Sequence, residues 1–224
     1  MKILVIDVGG THVKVKATDH KCEIKISSGP KMNARKMVAA VQKKPPGRRL
    51  DAGAIGYPGF VLDGPTARWP PKLMHCWISF DFAKAFGRPG KIINDGAMQA
   101  LGSYEGGRML FLGLGTGLGS ALIVDGVLEP MELAHLAYKK GRTYEDYVGL
   151  TGLKRLGKKK WRRHVRAIVK QLKTAMEADY VVLGGGNAEL LKKLPPTARL
   201  GDNANAFRGG FRLWEKSRRR ALTK

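Results

Sequence analysis

The chain is 224 residues long, 43% hydrophobic, and carries 41 Lys+Arg against 18 Asp+Glu for a formal charge of +23. That length buries a real core, as one large domain or two small lobes, and the composition excludes a disordered chain. The charge attracts polyanions, whether nucleic acid, anionic membrane or polyphosphate, without choosing among them. No stretch approaches the roughly 18 apolar residues of a membrane span. The opening residues, with Lys2 and Asp7 bracketing a short apolar run, are too polar for a signal peptide. Cys22 and Cys76 lack CxxC spacing and no Cys/His cluster suggests zinc. A cytoplasmic protein with two free thiols, no zinc and no membrane partner is expected.

In chain order, Ile3-Leu4-Val5-Ile6 is a β-former run ending on Asp7 and a Gly-Gly turn. Val13 and Val15 alternate with Lys14 and Lys16 as a half-exposed partner strand does, and residues 22–26 complete a meander. Asn33 is placed to cap a helix carrying Met37, Val38 and Val41, closed by Pro45-Pro46. A strand over 51–57 runs into Pro58-Gly59, then a hairpin over 60–66 with its turn at Asp63-Gly64, then an irregular stretch from Pro70-Pro71 to Trp77. A short helix over 81–86, a strand over 91–94 and a helix over 96–105 follow.

A second copy of the plan then begins: a strand over 109–112, a Gly-Thr-Gly turn, and a partner strand over 120–124 turning at Asp125-Gly126. This hints at a duplicated architecture, with sequence similarity too weak for a repeat. Helices are expected over 143–149 and 161–178, and a strand over 180–183 enters three glycines. Asn187 is read as the cap of a helix that stops at Pro195-Pro196, and a last helix from about 204 reaches the basic tail.

Five motifs carry chemistry, most with a plainer reading beside them. Asp7-Val8-Gly9-Gly10-Thr11 puts N–H groups, a hydroxyl and a carboxylate at one turn, where phosphate can approach and Asp7 can hold Mg²⁺ through water; a bare hairpin turn is the alternative. Gly115-Thr116-Gly117 offers similar chemistry, but is neither a Rossmann fingerprint nor a Walker loop. Asp95, at the end of Lys91-Ile92-Ile93-Asn94-Asp95-Gly96, reads as a base at a cleft mouth or as the cap of the helix that follows. Glu132-Leu133-Ala134-His135 places a carboxylate and an imidazole where both reach vicinal sugar hydroxyls, against an exposed Glu and a satisfied His. Finally, residues 154–173 hold a dense run of Lys and Arg over apolar residues at helical spacing. That run is a solvated helix face or a polyanion-binding one.

Together these motifs, in their order and spacing, resemble the ROK family of sugar kinases, within the actin-like/hexokinase superfamily, and most of all its polyphosphate glucokinase branch. The stretches that carry the likeness are Asp7 to Lys14, Gly56-Tyr57-Pro58-Gly59, Ile93-Asn94-Asp95-Gly96 and Leu112-Gly113-Leu114-Gly115-Thr116-Gly117-Leu118-Gly119-Ser120-Ala121-Leu122. Asp125-Gly126, Glu132 to His135 and Val182-Leu183-Gly184-Gly185-Gly186 complete them, covering nearly the whole chain. The resemblance implies an α/β, two-lobe, ribonuclease H-like fold with its active site in the interdomain cleft. It implies one lobe over 1–105, joined by a helix over about 206–224, and a second over 106–205. Asp95 resembles the base for the hexose 6-hydroxyl. Asn94, Glu132, His135 and Gly59 resemble sugar ligands, and Asp7 the Mg²⁺-associated acid. Gly9, Gly10, Thr11 and Lys14, Gly115, Thr116 and Gly117, and Gly184, Gly185 and Gly186 resemble the phosphate-binding loops.

The chain departs from the family pattern at several places. The zinc segment of most ROK kinases is missing, as in the polyphosphate branch; Ala134 replaces a glycine, Ala137 a glutamate, and Lys72-Leu73 stand where an asparagine is common. ROK repressors carry a helix-turn-helix ahead of the first strand, where this sequence opens directly, so an enzyme is expected. The expected activity is Mg²⁺-dependent transfer from ATP or polyphosphate to a hexose, with glucose foremost, in a protein whose relatives are commonly homodimers. The competing expectation is a degenerate kinase fold retained as a basic module for polyanions or RNA.

Overall fold

The computed structural model describes residues 1–9, 11–29, 31–43, 50–59, 77, 80–202 and 204–215. The Pro45-Pro46 stop, the hairpin over 60–66, the stretch over 70–76, Gly10 and the tail after 215 lie outside them. The chain forms two compact units, Met1–Met98 with Ala206–Trp214, and Gln99–Asn205.

The first unit is built on a five-stranded sheet of β1 (Ile3–Val8), β2 (His12–Ala17), β3 (Ile24–Ser27), β4 (Ala52–Tyr57) and β5 (Gly90–Asn94), in the order β3-β2-β1-β4-β5. The β1-β2-β3 meander is antiparallel, while β4 and β5 join β1 in parallel. The near-continuous apolar run of β1 reflects burial on both faces. Leu4, Ile6 and Val8 face a core shared with α1 (Ala34–Lys43), α2 (Phe82–Phe86), Tyr57 and Trp77. Ile3 and Val5 face Met98, Ala206 and Phe207 from α3 (Asp95–Ser103) and α6 (Asn205–Arg212). Asn33 caps α1 as expected, accepting the Lys36 N–H at 2.8 Å. A Cβ on Gly210 would strike Val5, so that glycine sets how closely α6 packs on β1.

The second unit repeats the plan. Its sheet of β6 (Arg108–Leu114), β7 (Leu118–Val124), β8 (Val127–Met131), β11 (Tyr180–Gly184) and β12 (Ala198–Leu200) runs β8-β7-β6-β11-β12. Again three strands form an antiparallel meander and two add in parallel. The duplication hinted at by two strand–glycine–strand units is therefore a duplication of topology. A small ribbon of β9 (Ala137–Lys139) and β10 (Arg142–Thr143) leads into α4 (Tyr144–Val148), started by a Thr143–Asp146 capping box. Asp125 (φ 50°) and Gly126 (φ 83°) make the tight β7–β8 turn the sequence predicts.

Three helical expectations are corrected. The helix predicted over 161–178 is α5 (Leu150–Ala175), which starts earlier and is interrupted at Gly157 (φ 71°, ψ 158°). Gly152 serves the tight α4–α5 corner, since a Cβ there would strike Tyr147 O and sit 2.7 Å from Asp146 O. Trp161, Val165, Ile168, Val169 and Leu172 form the buried stripe of α5 against Leu110, Leu112, Val181 and Leu183. Between β11 and β12 the predicted helix is a single 3-10 turn, Ala188–Leu190, which Asn187 does not cap with its side chain. The helix predicted over 96–105 ends at Ser103.

Candidate active site

In the first unit the parallel strands β1, β4 and β5 end together: Asp7 pairs with Gly56, and Tyr57 with Asn94. Carboxyl ends of parallel strands are where α/β sheets present chemistry. Asn94 spends its amide on structure, its Oδ1 accepting Ala97 N–H at 3.1 Å and its Nδ2 donating to Gly59 O at 3.2 Å. Asn94 is thus the cap of α3, and the capping reading of Asp95 is withdrawn. Asp95 occupies the first helical position, with Oδ1 held by the Gly96 N–H at 2.8 Å. Its own N–H also supports the carboxylate, and no other described residue donates to it.

Burial pushes the Asp95 carboxyl up to about 7; the charge of Asp7 pushes the same way and the Gly96 N–H resists. Burial likewise raises Asp7 to about 6, with Lys14, its cross-strand partner, pulling down and Glu23 pushing up. Two half-buried carboxyls that resist ionisation favour either a shared proton or a cation. No group of three or more His, Cys, Asp or Glu among the described residues is arranged to hold a metal. Mg²⁺ asks less: one or two carboxylates, with water and phosphate oxygens completing its shell, and Asp7 with Asp95 suits that demand. Lys14, expected at the phosphate turn, lies inside β2 opposite Asp7. At the turn itself Gly9 N–H closes on His12 O at 2.9 Å and Thr11 is exposed.

In the second unit two glycine loops meet, because β6 and β11 are adjacent with Gly113 paired to Gly184. Asn187 joins them, donating Nδ2 to Gly115 O at 2.8 Å and its backbone N–H to Leu114 O at 2.9 Å. Thr116 O accepts from Leu150 N–H at 3.1 Å, and Gly117 O from Gly115 N–H at 3.1 Å. The turn's carbonyls are thus occupied, while the Thr116 and Gly117 amides donate to no described group. A turn with its oxygens tied back and its N–H groups free suits an anion. Gly185 (φ 81°) must be glycine on two counts, since a Cβ would also lie 2.6 Å from Leu114 O.

Glu132 and His135 come together as expected, with Oε1 and Nε2 3.6 Å apart and both side chains exposed. Their stretch is fastened by Ser120, a buried hydroxyl that donates to Met131 O at 2.8 Å and accepts Leu133 N–H at 3.1 Å. Ala134 is buried in the core of this unit. Glu145, which sequence reasoning missed, binds this stretch to the glycine turn: its N–H donates to Ala134 O and its carboxylate accepts Leu118 N–H, each at 3.0 Å. The signal that marks it is local, an acid just inside the Thr143 capping box. Beside Gly185 a groove of about 380 Å³ is lined by Ala188, Glu189, Leu200, Gly201 and Asp202.

No protein-family model and no curated protein sequence matches the chain, but its fold is that of the ROK family sugar kinases, the actin-like/hexokinase fold. An inorganic polyphosphate/ATP-glucomannokinase from Arthrobacter sp. strain KM superposes with a TM-score of 0.77 at 22% identity, over 93% of this chain and 96% of that one. A ROK family glucokinase from Streptomyces griseus, in complex with glucose and AMPPNP, gives 0.78 at 16% identity over 95% and 99%. A ROK family transcriptional regulator, a homologue of the E. coli MLC protein, gives 0.74 at 14% over 93% and 76%. Among the described residues no helix is long and apolar enough to cross a membrane.

Proposed function

We propose that the chain is a ROK family hexose kinase that transfers a phosphoryl group from ATP or polyphosphate to a sugar 6-hydroxyl, with glucose the foremost substrate. The observation that carries this is Asp95, at the carboxyl end of the sheet, its carboxylate met among the described residues only by its own N–H and that of Gly96, with Asp7 near enough to raise its basicity. Asp95 takes the proton of the 6-hydroxyl as the sugar oxygen bonds to the terminal phosphorus, and the bond from that phosphorus to the leaving phosphate breaks. A positioned base of this kind contributes about 10²–10⁴-fold; placement and charge neutralisation supply the larger share. Mg²⁺ at Asp7 would neutralise the donor's charge, while the Gly9–Thr11 and Gly115–Gly117 turns hold its oxygens.

Glu132 and His135 are assigned to the sugar hydroxyls; Asn94, its amide already used, positions Gly59 and α3. The groove beside Gly185, with the exposed Leu200 and the Asp202 and Glu189 carboxylates, suits the nucleoside of ATP. The decisive experiment is hexose 6-phosphate formation with each sugar and donor, wild type against Asp95→Asn. Full activity of the variant would exclude the assignment. The unneutralised charge on α5 supports a second reading, a polyanion-binding module without catalysis, and the absence of sugar binding in calorimetry would favour it.

A further inference from the structure

We propose that α5 is a docking track for linear inorganic polyphosphate, holding the length of chain that trails away from the glycine turns; the direction of that chain rests on the kinase reading above. Lys159, Arg163, Arg166 and Lys170 are exposed and recur at helical spacing, on a helix whose other side is buried through Trp161, Val165 and Ile168. Their Cα atoms span about 16 Å along the axis. No ion pair among the described residues involves a Lys or Arg of α5. Like charges at these spacings repel and cost helix stability, so a polyanion that neutralises them is favoured.

Position distinguishes this stripe from a merely solvated face. The helix begins at the glycine turn, where Leu150 N–H donates to Thr116 O at 3.1 Å. It is then tied to the segment following the second glycine loop, by Arg162 Nε to Leu190 O at 2.6 Å and Arg166 to Lys193 O at 3.5 Å. The exposed Lys154 and Arg155 lie one turn beyond Leu150, the stripe continues past the break at Gly157, and the exposed Lys192 and Lys193 add to it.

The chemistry favours phosphate over nucleic acid. Single-stranded nucleic acids are held by cationic grooves together with exposed rings on which bases stack. The one aromatic residue of α5 other than His164 is Trp161, fully buried, with its Nε1 donating to Val148 O at 2.9 Å. Charge without a stacking surface reads a phosphate backbone and nothing attached to it.

The test is calorimetric titration of the full chain with linear polyphosphate several tens of phosphates long, with tripolyphosphate and with poly(U), across a salt series. Wild type should bind the long chain far more tightly than tripolyphosphate and more tightly than poly(U). K159Q/R163Q/K170Q should weaken long-chain binding by about tenfold or more and flatten the log–log salt slope by about two to three. Its tripolyphosphate affinity and ATP-supported turnover should stay at the wild-type level, and K159R/K170R should bind normally. Unchanged long-chain affinity in the glutamine variant overturns the track, as does poly(U) binding as tightly as polyphosphate and being lost with it. Absence of hexose phosphorylation with every donor, while α5-dependent polyphosphate binding persists, overturns the kinase reading and leaves the track standing.

Discussion

Asn187 donates its side-chain amide to Gly115 O at 2.8 Å while its backbone N–H meets Leu114 O at 2.9 Å, so one residue sutures the loop after β11 to the turn after β6. Asn187→Ala should cost about 1 kcal/mol of stability, the ordinary net worth of one such bond. It should raise the KM for the phosphoryl donor several-fold while leaving the sugar KM in place. Asn187→Asp should be worse than alanine for the donor, because a carboxylate cannot donate to Gly115 O and repels phosphate. Steady-state kinetics with each substrate varied check this; equal movement of both KM values would show that the suture serves the whole unit and not the turn.

Asp95→Asn should lower kcat by at least about 10²-fold, as loss of a positioned base does, and should also stabilise the fold above neutrality. The folded carboxyl titrates near 7 against 3.8 for the ordinary group. Between those values the folded state keeps a proton that the unfolded chain has released, so stability falls as pH rises through the window. Asparagine removes that penalty. In metal-free buffer the variant should melt above wild type at pH 8, with the gap closing toward pH 4. A variant that melts lower throughout would mean that Asp95 is held by contacts that favour its charge.

Asp7→Asn removes one of the influences that raise Asp95, whose pKa should therefore fall below about 7. Carboxyl-carbon NMR titration without metal reads this directly. With Mg²⁺ present, turnover should drop and the Mg²⁺ concentration needed for half-maximal rate should rise. An unmoved Asp95 titration would separate the two acids.

The sequence made the strand ends legible and the ties between them much less so. Apolar runs closing on Asp7, Asn94, Leu114 and Gly184 announce a sheet whose strands end in special turns, and that sheet is found twice. Asn187 was misread because an Asx residue before an apolar stretch has the same local signature whether it caps a helix or reaches a carbonyl 72 positions away. The division of labour between Asn94 and Asp95 depends on which residue sits one place outside the helix, and boundaries are what periodicity resolves least.

Gly56 offers the sharpest test of how the sheet positions the base. It pairs with Asp7 on one side and Ile93 on the other, and a Cβ there would strike Met98 Cε, with Sδ at 3.2 Å and Asp95 Cα at 3.5 Å. The obstacle is thus a flexible thioether, while the Asp95 contact itself is of ordinary length. Gly56→Ala should destabilise by about 1–3 kcal/mol through overpacking and lower kcat as the first turn of α3 lifts. Adding Met98→Ala makes room for the methyl but removes a buried side chain, a loss that costs about 2–5 kcal/mol alone. The double variant should therefore be more stable than the sum of the single changes, with a coupling of at least about 0.5 kcal/mol, and should recover part of kcat. Strict additivity in denaturant melts, with kcat no better in the double variant, would show that the sheet tolerates a side chain at 56 without moving Asp95.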